Sequence, residues 1–141
     1  MHRYFNGEFR RIVDIARESD LTFTEAEESV MGVTHAEIGS WLAERWNLPD
    51  HLVEAILHHN TPMKAEMNPE LVSIIHCADN VASRIAADPI EFDKGIEFDA
   101  GALERLQLSD PNILEEFIKK YAEVVSADIK ETAMLAHMNL I

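Results

Sequence analysis

Twice in close succession the chain writes the same helix-start signal. Thr22-Phe23-Thr24-Glu25 and Thr34-His35-Ala36-Glu37 each place a hydroxyl three residues before a carboxylate. At that spacing the hydroxyl accepts from the amide three residues on, while the carboxylate reaches back to the amide of the cap. Two orphan donors of the first helical turn are thereby satisfied together. Two such boxes, with no convincing strand alternation anywhere in the chain, commit it to helices.

The remaining punctuation agrees. Phe5, Phe9, Ile12, Val13 and Ala16 recur every three or four residues and predict a helix over 4–19. The first box opens a short acidic helix ending near Met31-Gly32, and the second opens one that runs to about Trp46. Its apolar face is read as Ile38, Trp41, Leu42 and Trp46, with the two tryptophans in the core. Leu48-Pro49-Asp50 starts a fourth helix, because proline is tolerated where its missing N–H is not needed. That helix carries Leu52, Val53, Ile56 and Leu57 and finishes at His58-His59-Asn60. After a loop over 61–68, Pro69 marks the start of a helix reaching about Ala87. It is apolar on several sides and is read as the central, buried one. The stretch 88–101 is acidic and irregular, with Pro89 and Gly95 as breakers. Asp99 caps a short helix through Leu106, and Pro111 opens a last long helix to about His137. The core stripe of that last helix is Ile113, Leu114, Phe117, Ile118, Tyr121, Val124 and Val125.

A length of 141 residues, with 47% hydrophobic residues and five Gly and five Pro, suits one globular all-α domain over 1–141: a compact bundle of about six or seven helices. No apolar run approaches the roughly 20 residues a bilayer span needs. Met1-His2-Arg3-Tyr4-Phe5-Asn6-Gly7 has no stretch of signal-peptide type, so a cytoplasmic location is expected. The net charge of −14 repels phosphate backbones and anionic lipid heads, which argues against nucleic acid and membrane as partners. It leaves room for a small phosphorylated ligand held by a metal. Cys77 is the only cysteine; in its apolar surroundings it reads as a small buried residue rather than a redox centre.

Four features carry candidate chemistry: His35 at a helix start, His58-His59 at a helix end, and His76 with Asp79 inside the apolar helix. Imidazole and carboxylate suit zinc, iron or manganese, and such a cluster could activate a water for hydrolysis. Each also has an ordinary structural reading. His58 or His59 sits well at the negative end of a helix dipole. His76 and Asp79, spaced three apart on one face, could form a buried pair without any metal. His2, His51 and His137 have no grouping and read as surface residues. The run Glu25-Ala26-Glu27-Glu28 reads as a solvated face. No Gly-rich phosphate loop, Walker motif, HExxH or activated Ser or Cys nucleophile is present.

In combination the pieces resemble a known family. Gly32-Val33-Thr34-His35-Ala36-Glu37-Ile38-Gly39 is followed by Trp41-Leu42-Ala43-Glu44-Arg45-Trp46-Asn47-Leu48-Pro49. Then come Leu52-Val53-Glu54-Ala55-Ile56-Leu57-His58-His59 and Ile75-His76-Cys77-Ala78-Asp79. This order is similar to the C-terminal part of the HDOD domains, in the wider HD superfamily of helical metal-dependent phosphohydrolases, and the likeness covers roughly 5–87. It implies an HD-domain-like core that lacks the N-terminal helices. In the catalytic HD-GYP relatives, the positions similar to His35, His58, His59 and Asp79 are metal ligands, and those relatives cleave cyclic dinucleotides. They also require an earlier histidine and an adjacent His-Asp pair. This chain has no His-Asp dipeptide, only His2 precedes its first helix, and it begins just after the place where that pair should stand.

The expectation is therefore a non-catalytic HDOD-type signal-transduction module that binds a protein partner or assembles as a homo-oligomer. It has no catalytic residues, needs no cofactor, and keeps His35, His58, His59 and Asp79, with His76 as a further candidate, as a vestigial or conditional metal set. The alternative is a metal-dependent phosphohydrolase using iron, manganese or zinc on those ligands, with the missing ones supplied by a partner chain or an unusual geometry in their place. A third reading keeps His76 and Asp79 only as a buried hydrogen-bond network.

Overall fold

Both capping boxes close. In the computed structural model, which describes residues 6–85 and 97–138, the helices are α1 (Asn6–Glu18), α2 (Phe23–Met31), α3 (His35–Arg45), α4 (Asp50–His58), α5 (Pro69–Ile85), α6 (Ala100–Arg105) and α7 (Pro111–Met138). One turn of 3-10 helix, Pro62–Lys64, stands in the expected loop between α4 and α5. No strand occurs among the described residues, and the helices form a compact all-α bundle. Tyr4, Phe5, His2 and the stretch 86–96, with Pro89 and Gly95, lie outside the described residues.

At the start of α2 the Thr22 hydroxyl accepts from the Glu25 amide at 3.3 Å, and Glu25 Oε2 accepts from the Thr22 amide at 2.7 Å. Thr34 and Glu37 repeat this at α3 with 3.2 and 2.8 Å. The hydrogen bond from the Thr34 amide, and after it the one from its hydroxyl, hold the Glu37 carboxyl below the usual carboxylate range. Gly32 ends α2 with φ 68°, a left-handed conformation glycine adopts without a Cβ penalty, and its amide donates to the Glu28 carbonyl.

The helices pack in a chain of pairs: α1 with α2, α3 with α4, α4 with α5, and α5 in turn with α6, α7 and the 3-10 turn. Ile12, Ala16 and Ala26 form the buried centre of the first pair, with Ile15, Phe23, Val30 and Met31 packed around them. The central role read for α5 holds, but its burial follows one stripe. Val72, Ser73, His76, Cys77, Asn80 and Val81 are buried, whereas Ile74 on the other side is 48% exposed. The stripe of α7 is also narrower than expected. Leu114, Phe117 and Ile118 are half-buried while Ile113, Tyr121 and Val124 are exposed, because α5 covers this helix from one side.

The clearest departure concerns α3. Trp41 and Trp46, read as core, are 56% and 69% exposed, and Leu42 is exposed with them. The physical reason lies in the other face of the helix. Ala36, Ser40 and Ala43 are its buried residues, and a Cβ placed on Gly39 would stand 2.9 Å from Ile56 Cγ2. Small side chains at 36, 39, 40 and 43 let α4 approach closely. That choice turns Ile38, Trp41 and Leu42 to the opposite side of the helix.

Glu54 of α4 clamps the loop that leads into α5. Its Oε1 accepts from the amides of Glu66 and Met67, and its Oε2 from that of Asn68, all at 2.7 Å. Burial pushes this carboxyl up. The amides of Met67, Asn68 and Glu66, helped by the charge of His58, outweigh burial and leave it below its ordinary value of 4.5. A carboxyl lowered on folding stabilises the fold above its unfolded pKa, and that contribution is lost as pH falls through the lowered value. Glu54→Gln should therefore cost about 1–2 kcal/mol near neutral pH. In urea melts across pH, the gap between the parent and this variant should narrow progressively below about pH 4.5.

Candidate functional site

A buried carboxylate organises the site. On α2, Phe23, Ala26, Glu27, Val30 and Met31 share the inward stripe, so Glu27 enters the interior beside them, with 4% of its surface exposed. Its Oε2 accepts two hydrogen bonds from one residue: the His35 amide at 3.1 Å and His35 Nδ1–H at 2.6 Å. The acidic run that reads as a solvated face is thus split. Glu25 caps its helix and Glu28 is exposed, while Glu27 turns inward. The signal was available, since 27 follows 23 by four and precedes 30 and 31 by three and four.

His59, just past the end of α4, meets His35 from the other side. The two Nε2 atoms stand 3.1 Å apart and the ring centroids 5.1 Å apart. His59 Nδ1 donates to the Ile56 carbonyl at 2.7 Å. The side-chain amide nitrogen of Asn60 reaches both Nε2 atoms, at 3.3 Å to His35 and 3.0 Å to His59. A carboxylate and a carbonyl can only accept, so both imidazoles donate from Nδ1 and turn Nε2 to the same point. The sequence brought His35 and His59 to notice; Glu27 and Asn60, which complete the arrangement, it did not.

The other candidates lie apart from this contact. His58 shares a helix face with Glu54, one turn back, and its charge acts on that carboxyl. Asp79 is half-buried on the flank of the α5 stripe. His76 is 4% exposed, and both of its nitrogens are engaged. Nδ1 donates to the His59 carbonyl at 2.8 Å, and Nε2 accepts from the Asp99 amide at 2.9 Å. It thus pins the end of α4 and the cap of α6 to α5. Its hydrogen-bond partners are His59, Asp99 and Asn80, not the Asp79 expected from the spacing. Asn80 donates to the His76 carbonyl at 2.9 Å, and its side-chain Oδ1 is buried with no hydrogen-bond partner among the described residues. Cys77 is 1% exposed. Burial, and after it the charge of Asp99, push its thiol up, which keeps it from acting as a thiolate nucleophile.

The donor set can be compared with what a metal needs. Two nitrogens bound to one tetrahedral zinc stand roughly 3.3 Å apart, given Zn–N bonds near 2.05 Å. The His35–His59 separation of 3.1 Å comes near that value, so the pair fits two positions of a transition metal's shell. A catalytic zinc takes about three protein ligands. Among the described residues no group of three or more His, Cys, Asp or Glu gathers closely enough to hold an ion. His35 and His59 by themselves supply two imidazoles, short of such a set.

The model of the HDOD domain family matches residues 1–62 of this chain. The match takes in α1 to α4, with Glu27, His35, His58, His59 and Asn60, and stops before α5, which carries His76 and Asp79. The resemblance read from the sequence therefore holds for the N-terminal part of the chain. An uncharacterized protein of Treponema pallidum (strain Nichols) is 34% identical over 70 residues, which are 49% of this chain and 14% of that protein. The chain thus matches about one seventh of the length of that relative. No solved structure matches. No helix among the described residues is long and apolar enough to cross a membrane.

Because Gly39 and Ile56 touch one turn from His35 and His59 respectively, their contact sets how closely the two histidines meet. Gly39→Ala forces a methyl against a branched side chain at 2.9 Å. Overpacking of about 1–3 kcal/mol exceeds the gain of roughly 1 kcal/mol in helix propensity. A net loss of about 1 kcal/mol is expected in urea unfolding. Gly101→Ala is the contrast: its nearest neighbour is the flexible end of Met63, which is half exposed and can move aside.

Proposed function

We propose that this chain, with its HDOD segment over 1–62, is a non-catalytic regulatory module that works by binding protein through the outward face of α3 and the turn into α4. One observation carries this reading. Trp41 and Trp46, at 56% and 69% exposure, and Leu42, Leu48 and Leu52 are all exposed on one helical hairpin. Ile38, Trp41, Leu42, Glu44 and Arg45 line a shallow depression there. Exposed leucines and two exposed tryptophans, with Glu44 and Arg45 among them, have the composition of an interface. Tryptophan supplies more binding energy on burial than nearly any other side chain, and both rings are more than half exposed. The occupant is a second copy of this chain or another protein of the same signalling system.

A metal-dependent phosphohydrolase is the second reading. Its support is the His35–His59 pair, and it needs further ligands, with His58 and Asp79 brought to the pair or others supplied by a partner. Two imidazoles alone leave most of the shell to water and bring no carboxylate to hold a second ion or orient a nucleophile. The donor geometry therefore favours the binding role.

Trp41→Ser combined with Trp46→Ser should leave stability within about 0.5 kcal/mol of the parent, because both rings are exposed. It should weaken self-association or partner binding by about 2 kcal/mol per ring, more than tenfold each. Sedimentation across a concentration series reads the first case. Steady turnover of a cyclic dinucleotide or phosphate ester by the pure chain, loaded with iron or manganese and abolished by His59→Ala, would overturn the binding-only reading.

A further inference from the structure

We propose that the outward stripe of α7 is a self-association surface, on which a second copy of this chain seats its own α7 antiparallel, across a two-fold axis near residues 118–119. The proposal does not rest on the face of α3. α7 packs on α5 and α3 on α4, and α7 lies outside the family segment 1–62.

α7 carries more apolar surface than α5 covers. At 3.6 residues per turn, Leu114, Ile118, Ala122 and Val125 share an arc of roughly 80°, and all four are half-buried. Ile113, Phe117, Tyr121 and Val124 fall in a second arc of similar width, centred roughly 100° further round the helix. Of these, Ile113, Tyr121 and Val124 are 49%, 46% and 51% exposed. The rings of Phe117 and Tyr121 lie against each other with centroids 4.5 Å apart. Two apolar stripes on one helix call for two neighbours, and the described part of the chain supplies one.

The order of residues along the stripe says which neighbour fits. In a two-fold contact, wherever position i meets j, j also meets i. Reversing α7 about residues 118–119 brings Ile113 opposite Val124 and Phe117 opposite Tyr121, so apolar meets apolar along the whole stripe. The same reversal brings Glu116 opposite Lys120, both exposed along one edge of the stripe. An antiparallel two-fold keeps that edge on the same side in both copies, so the Glu116–Lys120 contact is made twice, as at the flanks of paired helices. A parallel pair would turn this edge against the one that leads to α5, and both contacts would be lost. The net charge of −14 makes two copies repel unless the contact itself brings cations. Lys120 does so, and neither it nor Glu116 has an ion-pair partner among the described residues.

The test uses the full chain and sedimentation equilibrium over a concentration series. The parent should dimerise. Lys120→Glu and Glu116→Lys each set like charges against each other twice, and each should weaken dimerisation by about tenfold or more. An equimolar mixture of the two variants should dimerise again, because every contact between 116 and 120 across the pair then joins opposite charges. The chain carrying both substitutions should dimerise for the same reason. Both positions are exposed, so melting temperatures should stay near that of the parent. Trp41→Ser with Trp46→Ser should leave this dimer intact, which separates failure here from failure of the α3 reading. A parent that stays monomeric throughout the series would overturn the proposal and leave the stripe to a different protein. Single charge variants that dimerise like the parent, or a mixture that stays apart, would rule out this pairing. Dimerisation lost in the tryptophan variant but kept in the charge variants would put the second copy on α3 instead.

Discussion

The contact between Glu27 and His35 joins parts of the bundle that otherwise barely touch. α1 and α2 pack on each other, and α3 to α7 pack among themselves through α4 and α5. Glu27, the buried charge of α2, crosses from the first group to the first residue of the second. An ionised carboxylate taken out of water costs several kcal/mol unless its hydrogen bonds are replaced. Here two donors from one residue replace them, and the aromatic ring of Phe23 flanks His35 with centroids 6.3 Å apart. The start of α3 is consequently fixed three times over: by the Thr34–Glu37 box, by the amide bond to Glu27 and by the ring bond to the same oxygen. A histidine placed this firmly is an unusual use of a surface-type residue, and the rest of the site builds on it.

From that anchor, one helix presents two different faces. Toward α4, α3 offers Ala36, Gly39, Ser40 and Ala43, and their smallness brings His59 within reach of His35. Away from α4, it offers Ile38, Trp41 and Leu42. The two outcomes are linked. Had the large residues faced α4, the helices would stand several ångströms further apart and the Nε2 atoms could not meet at 3.1 Å. The close approach that forms the histidine pair is also what puts two tryptophan rings in water.

Much of this could be read in the sequence. The two capping boxes, the prolines at 69 and 111 and the cap at Asp99 placed the helices to within a residue or two, because each signal acts through neighbours along the chain. Periodicity identified an apolar stripe on α3 but not which side of the helix is inward. Hydrophobicity favoured the tryptophans; backbone proximity, which rewards small residues, decided the packing. For His76 the difficulty was sequence distance. Its partners are the carbonyl of His59 and the amide of Asp99, main-chain groups that no side-chain pattern marks. Asp79, three residues on, was the local and mistaken choice. Glu27 lay in an inward stripe that was visible, but a carboxylate in a run of carboxylates is ordinarily solvated, and only the histidine eight residues later reverses that.

The fold uses its histidines in two ways. In His76 the fold uses both imidazole nitrogens, and the ring serves only as a brace between α4, α5 and α6. In His35 and His59 it uses one nitrogen of each, leaving the other to meet its counterpart beside Asn60. A hydrolytic zinc centre needs more: a third protein donor, with a position left open for water. Glu27 stands behind His35, where it orients the ring but cannot touch an ion on the far side. α3, which begins at His35, carries Trp41 on its outward face less than two turns on, and Trp46 stands at its C-terminal end.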